Sequence, residues 1–263
     1  MKVAVIVPAF KAHSYIEEAL VSIKSQEVGD TTEVQTIVIC DGCEETFNTA
    51  SRFADKSTLV CLTENVGTYR ARNLGLSLCH IDSDLICNLD ADDVWDCLRI
   101  ADLEEVADKH LNSLSAFSCV MRRIDECGAE ITSLDRRACP SGAYVYTGLT
   151  VKTIGMYRPW WCGSDNEYRA RFYAAGGVLH HSKRLLLSYR KHATQLTSAP
   201  ETLRGTKERD FSYTEIARLK KTNYQTHFQN HPQHNILKWE GARLHKGSTF
   251  GGYFASRPLT DGD

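Results

Sequence analysis

The sequence has no apolar run that approaches the roughly 18 residues of a membrane-spanning helix. The first apolar stretch, residues 3–7, follows a single lysine and ends at Pro8, so it has neither the length nor the cleavage pattern of a signal peptide. Internal repeats and low-complexity tracts are also missing. These absences predict a protein without integral membrane association, and we expect it in the cytoplasm.

The sequence also lacks a pair of CxxC motifs at zinc-ribbon spacing, although it contains ten cysteines. Cys40 and Cys43 form a single CxxC motif with no thioredoxin-like pattern around it. Most of the other cysteines lie in apolar stretches, where a free thiol behaves as a small hydrophobic side chain. Examples are Cys61, Cys79, Cys87 and Cys119. We therefore expect reduced thiols rather than a disulfide framework.

The two halves of the sequence differ in charge, although the net charge is only −2. Residues 1–110 contain 9 Lys/Arg and 20 Asp/Glu, whereas residues 111–263 contain 22 and 13. An ordinary solvated surface would explain the basic half, and so would a surface that faces an anionic partner. The 263 residues are enough for one large domain with a C-terminal extension.

Short apolar runs alternate with segments of helical periodicity in the first part of the chain. The runs lie at residues 3–7, 36–40, 59–62 and 84–89. This alternation predicts an α/β fold, with an open, mostly parallel sheet and helices on both faces. Because ligands bind outside the carboxyl ends of parallel strands, the residues that follow these runs are expected to converge on one pocket.

Capping residues predict where two helices begin. Ser14, with Glu17 three residues later, forms a capping box ahead of an amphipathic run. Asp93 stands where an N-cap would precede a helix that begins near Val94. A third helix is expected at residues 168–175.

The motif with the clearest chemistry is the run Asn-Leu-Asp-Ala-Asp-Asp at residues 88–93. Where a strand gives way to a turn, Asp90 and Asp92 can both address one hard cation or a ribose hydroxyl. Carboxylate oxygens with open coordination positions suit Mg²⁺ or Mn²⁺, which would bridge a diphosphate. The alternative is an ordinary helix start, capped by Asp93.

Four segments taken together resemble glycosyltransferase family 2, and the resemblance covers roughly residues 2–198. The segments are residues 5–20, 37–42, 65–75 and 90–93. The resemblance implies a GT-A fold and an inverting, metal-dependent glycosyltransferase of the hexosyltransferase type, with a UDP-sugar as the favoured donor. It also implies a glycosyltransferase domain at 1–198, with a nucleotide-sugar-binding half at 1–110 and an acceptor half at 111–198. A helical C-terminal extension would occupy 199–263.

The resemblance assigns nucleotide-sugar binding to residues near the ends of the first four strands. They are Pro8, Ala9, Phe10, Asp41, Asn65, Gly67, Arg72, Asp90 and Ala91. Asp41 is expected to contact the base, and the segment around Arg72 is expected to line the nucleotide and its phosphates. Cys40 and Cys43 flank Asp41 where the family commonly has a second acid and a Gly-Ser pair. A simple strand-end turn would also explain Asp41 and Gly42.

Asp165 stands in the position of the family's general base, where members often carry a Glu-Asp pair ahead of a helix. A carboxylate accepts a proton there if it is ionised and within hydrogen-bond reach, and Glu167 is the reserve candidate. The alternative role of Asp165 is an N-cap. For the metal, Mn²⁺ or Mg²⁺, the resemblance implies Asp92 and His192 as ligands, although a lone histidine is more often structural.

Trp160 and Trp161 are either core residues or a platform on which an acceptor ring stacks.

The expected acceptor is a glycan. The basic second half supports an alternative acceptor, a hydroxylated base in DNA, as in phage-type DNA glucosyltransferases. The alternative from another functional class is a module that binds a nucleotide sugar without catalysis. A nucleotidyltransferase is disfavoured, because the glycine-rich phosphate loop of that class does not follow the first strand. The histidine cluster at residues 227–234 is interpreted as surface.

Overall fold

The described part of the chain forms a ten-stranded mixed sheet flanked by helices. The computed structural model describes residues 1–53, 57–131, 137–198, 200–203, 205–222, 224 and 243–244. The strands are β1 Lys2–Ala9, β2 Glu33–Cys40, β3 Thr58–Cys61, β4 Leu85–Asn88, β5 Val94–Trp95, β6 Ser115–Ile124, β7 Arg137–Ala138, β8 Val145–Thr147, β9 Val178–Arg190 and β10 Arg243–Leu244. The helices are α1 Ile16–Lys24, α2 Glu44–Ala50, α3 Thr68–Leu78, α4 Arg99–Ala107, α5 Gly148–Ile154, α6 Ser164–Ala174 and α7 Lys207–Lys221.

The sheet is parallel in its first half and mixed in its second. Its order is β10-β3-β2-β1-β4-β8-β6-β9-β5, and β7 pairs with β6. Strands β1 to β4 pair in parallel, as do β6 and β9. The pairings of β5, β7, β8 and β10 are antiparallel. The predicted α/β fold is confirmed, with its parallel character concentrated in the four strands that the apolar runs predicted.

Helices cover both faces of the parallel half because of the handedness of its connections. Crossovers between parallel strands are almost always right-handed. The chain moves from β1 to β2 to β3 in one direction and then returns past β1 to β4, so α1 and α2 lie on one face and α3 lies on the other. Helix α3 approaches β1 closely, since a methyl group at Gly75 would lie 2.4 Å from Cγ2 of Ile6.

Both predicted helix starts are wrong. Helix α1 begins at Ile16, and its entry is fixed by the backbone amides of Tyr15 and Ile16, which donate to the Ala12 carbonyl rather than to Ser14. The residues after Asp93 form β5, which pairs with β9, and the next helix begins only at Arg99. After Asp93 the tertiary pairing of β5 with β9 overrides the capping signal, whereas at α1 local backbone hydrogen bonds replace the side-chain cap.

The predicted C-terminal extension contains both a helix and a strand. Helix α7 packs against α6, and β10 adds an antiparallel edge strand beside β3, which the expectation of a helical extension missed. The histidine cluster at 227–234 lies outside the described residues, and the domain boundaries stay a prediction. Among the helices that the structure describes, none has the length and apolar character of a membrane span.

Candidate functional site

The carboxyl ends of β1, β2 and β4 meet at one edge of the sheet. Ala9 at the end of β1 pairs with Cys40 at the end of β2, and Asn88 at the end of β4 pairs with Ile6 of β1. The predicted nucleotide-sugar residues therefore follow adjacent strands. Phe10 is exposed at this edge, whereas Pro8 and Ala9 are buried at the end of β1 and Ala91 is buried in the turn after β4.

Asp41 anchors the loop that leads into α3. Its Oδ1 accepts a hydrogen bond from the Val66 amide at 2.7 Å, and its Oδ2 accepts one from the Gly67 amide at 3.0 Å. The Asn65 side chain accepts from the same Gly67 amide at 2.9 Å. Burial raises the pKa of Asp41, while the two amide hydrogen bonds oppose the rise. Gly67 has φ of 92°, a conformation that favours glycine.

Arg72 joins α3 to the acidic turn after β4. Its buried guanidinium donates a hydrogen bond to Oδ1 of Asp90 and lies 5.6 Å from the ring centre of Tyr69. Burial lowers the pKa of Arg72, but the Asp90 carboxylate raises it, and the net change is a rise. A permanent positive charge therefore stands beside the carboxylates of the predicted donor site.

Asp92 and His192 lie together, although 100 residues separate them in the sequence. The Oδ2 of Asp92 and the Nε2 of His192 are 2.8 Å apart, with side-chain exposures of 24% and 8%. Nδ1 of His192 lies 3.0 Å from the Thr194 hydroxyl, which fixes the ring.

This pair fits a divalent cation that is shared with a substrate. Among the described residues, no group of three or more His, Cys, Asp or Glu side chains is arranged to hold a metal ion. Mg²⁺ is commonly bound through one or two carboxylates together with substrate phosphates and water, and carboxylates suit Mn²⁺ as well. Asp92 provides one such carboxylate, and His192 adds an imidazole nitrogen beside it.

Arg190 supports the acidic turn from inside the protein. Its backbone amide donates to Oδ1 of Asp93 at 2.9 Å, and its Nε donates to the Asp92 carbonyl at 2.9 Å. Its guanidinium also pairs with Glu18 at 2.7 Å. Burial raises the pKa of Asp93 well above its usual value, and the carboxylates of Asp92 and Asp90 raise it further. Asp93 is therefore held as part of the framework.

Asp165 lies in the first turn of α6, half-buried, and its carboxylate points to hydroxyl groups rather than to helix amides. Oδ1 accepts a hydrogen bond from the Tyr69 hydroxyl at 2.6 Å, and Oδ2 accepts one from Ser141 Oγ at 2.8 Å. The N-cap residue of α6 is Gly163. Tyr69 and Arg72, which bind Asp165 and Asp90, are both residues of α3. The candidate base and the acidic turn are thus connected through one helix.

Glu167, the reserve candidate, has a different environment. Its side chain is 0% exposed and pairs with Arg171 at 2.8 Å and with Arg158 at 3.6 Å. Arg171 in turn donates to backbone carbonyls of the segment that precedes α6. A carboxylate enclosed by two guanidinium groups offers no surface to an acceptor, so the geometry favours Asp165 as the base.

The two tryptophans face different surroundings. The ring of Trp160 packs edge-on against Phe211 of α7, with centroids 5.5 Å apart. Trp161 is 48% exposed and lies over the loop before α3, where a methyl group at Gly67 would be 3.0 Å from its ring. Trp161 is therefore available at the cleft, whereas Trp160 contributes to helix packing.

Sequence reasoning missed two residues that contact the candidate base. Tyr69 lies between the predicted binding residues Gly67 and Arg72, so its position in the motif was the available signal. Ser141 lies in a short 3-10 turn, Ser141–Ala143, and nothing in the surrounding sequence marks it.

The chain matches the model of glycosyl transferase family 2 over residues 4–146. It belongs to this family. No curated protein matches the chain. The GT-A architecture that family membership implies is the one that the sheet and its helices show.

Solved structures of TarS from S. aureus have the same fold. The complex of TarS residues 1–349 with UDP-GlcNAc has a TM-score of 0.66 at 18% identity, over 85% of this chain and 66% of that one. The UDP complex has a TM-score of 0.63 at 17% identity, over 85% and 65%. A longer TarS structure has a TM-score of 0.60 at 16% identity, over 83% and 39%. The chain thus spans about two thirds of the shorter TarS structures.

Proposed function

We propose that this family 2 glycosyltransferase is a metal-dependent, inverting hexosyltransferase that moves a sugar from a UDP-sugar to an acceptor hydroxyl. The observation that carries the proposal is a set of contacts around α3: Tyr69 binds Asp165, and Arg72 binds Asp90 of the acidic turn that also contains Asp92, the partner of His192. The TarS structures in complex with UDP-GlcNAc and UDP support the choice of nucleotide.

In this proposal each group has a distinct task. Asp41 holds the loop that lies around the nucleotide base of the donor. Arg72 provides a fixed positive charge near the phosphates of the donor. Asp92 and His192 would hold Mn²⁺ or Mg²⁺, and the ion would offset negative charge on the departing diphosphate. Asp165 accepts the proton of the acceptor hydroxyl as that oxygen attacks the anomeric carbon. Because one displacement completes the transfer, the anomeric configuration inverts.

Two substitutions separate donor binding from base catalysis. Asp165→Asn should keep UDP binding in Mn²⁺ and lower the rate of UDP release from UDP-GlcNAc by about 10²-fold or more. Asp92→Ala should lose metal-dependent UDP binding itself. Asp108→Asn removes an exposed carboxylate just after α4 and serves as the matched control. Full activity of Asp165→Asn would refute the role of that residue as base.

The same assays decide between the alternatives. A noncatalytic binding module would bind UDP-GlcNAc yet release no UDP with any acceptor or with water. The basic second half and exposed Trp161 keep DNA as a second candidate acceptor. Binding to duplex DNA that weakens steeply with salt would support it, and no binding at low salt would remove it.

A further inference from the structure

Helix α3 contacts carboxylates that come from three other parts of the site. Backbone amides just before the helix bind Asp41, the Tyr69 hydroxyl binds Asp165, and Arg72 binds Asp90. The nucleotide loop, the acidic turn and the candidate base are therefore all attached to the first part of one helix. Of these three attachments, the one through Tyr69 reaches the acceptor half of the chain.

Tyr69 is built as a fixed hydrogen-bond donor. Its side chain is buried, its ring centre lies 5.9 Å from that of Tyr157, and the Arg72 guanidinium lies against it. Burial raises the pKa of Tyr69 well above its usual value, and the charge of Asp165 raises it further. The hydroxyl keeps its proton at neutral pH, so it donates to the carboxylate and does not compete with it as a base.

Ser141 provides a second donor on the other carboxylate oxygen. It is also buried, and its Oγ lies 2.8 Å from Oδ2 of Asp165 and 3.4 Å from Oδ1 of Asn166. Among the described residues, each oxygen of Asp165 thus receives one hydrogen bond, from a buried hydroxyl. A carboxylate oxygen can accept two hydrogen bonds, so these contacts leave each oxygen a second position for an incoming hydroxyl.

We propose that Tyr69 and Ser141 are positioning residues for Asp165, which hold its carboxylate in one orientation towards the acceptor. The proposal rests on the proposed function in assigning the base role to Asp165. Through Tyr69, the orientation of the base is tied to the same helix that carries the nucleotide loop. The donor-binding half and the acceptor half of the site are therefore both attached to α3.

The first test compares the Asp165 carboxylate between variants at one neutral pH and needs no substrate. The carboxyl carbon of Asp165 is followed by ¹³C NMR, its signal assigned by its loss in Asp165→Asn. Tyr69→Phe and Ser141→Ala should each move this signal, because each removes a hydrogen bond to one carboxylate oxygen. Tyr213→Phe, on the exposed side of α7, should leave the signal in place. Signals in Tyr69→Phe and Ser141→Ala that coincide with that of Tyr213→Phe would overturn the proposal.

The second test measures UDP release from UDP-GlcNAc in Mn²⁺, with water as the acceptor. Tyr69→Phe should lower kcat about tenfold, with the KM for UDP-GlcNAc unchanged. The double variant Tyr69→Phe/Ser141→Ala should lose more kcat than either single variant. A change in KM alone, or lower stability with an unchanged kcat, would contradict the proposal. If the wild type released no UDP, the proposed function would fail while the NMR comparison still tested the two hydrogen bonds.

Discussion

Replacing Glu167 with alanine distinguishes a structural carboxylate from a catalytic one. Glu167 and Arg171 are both 0% exposed, and two hydrogen bonds of 3.1 and 2.8 Å join them. The substitution would remove the carboxylate that pairs with the buried Arg171 and with Arg158. Breaking a buried pair in this way costs about 3–5 kcal/mol of unfolding free energy. That is a large share of the roughly 5–15 kcal/mol that stabilises a typical domain.

Urea denaturation followed by circular dichroism measures this loss. Glu215→Ala is the matched control, because Glu215 pairs with the exposed Arg218 on α7 and its removal should cost under about 1 kcal/mol. Glu167→Gln should be less damaging than Glu167→Ala, since it preserves the packing and one acceptor oxygen. A loss under about 1 kcal/mol for Glu167→Ala, combined with loss of UDP release, would refute the structural interpretation and make Glu167 a base candidate.

Two further predictions concern packing and pH. Gly75→Val should destabilise the protein by about 1–3 kcal/mol in urea denaturation, because the new side chain meets Ile6; unchanged stability would contradict the close approach of α3. Burial and the nearby His110 lower the pKa of His180, so the folded state favours the neutral ring. Stability should therefore decline as pH falls below about 6.5 towards the folded-state pKa, and His180→Phe should decline less in thermal unfolding scans between about pH 7 and pH 5.

The sheet and the donor side of the cleft could be predicted because their signals are local. Each apolar run became one of the first four strands, and the acidic run after β4 marked the turn that carries Asp90 and Asp92. In a parallel sheet, residues that follow neighbouring strands must converge, whatever lies between them in the sequence. The convergence of Asp41 and Asp90 on α3 follows from that rule.

The remaining features depend on contacts between distant parts of the chain. Asp93 carried a capping signal, but its carboxylate accepts from the Arg190 amide, 97 residues away. Tyr69 meets Asp165 across 96 residues. Glu167 and Asp165 are both acids in the first turn of one helix, and only the packing of Arg158 and Arg171 shows that the first is enclosed. A pattern of residue types in one sequence contains no record of such pairings.

Isothermal titration calorimetry with UDP-GlcNAc, in Mn²⁺ and in EDTA, tests the metal-dependent donor site most directly. We expect saturable binding of UDP-GlcNAc in Mn²⁺ that is lost in EDTA, lost in Asp92→Ala and weakened in His192→Ala. Equal affinity in Mn²⁺ and in EDTA, or no binding by the wild-type protein in either condition, would contradict it.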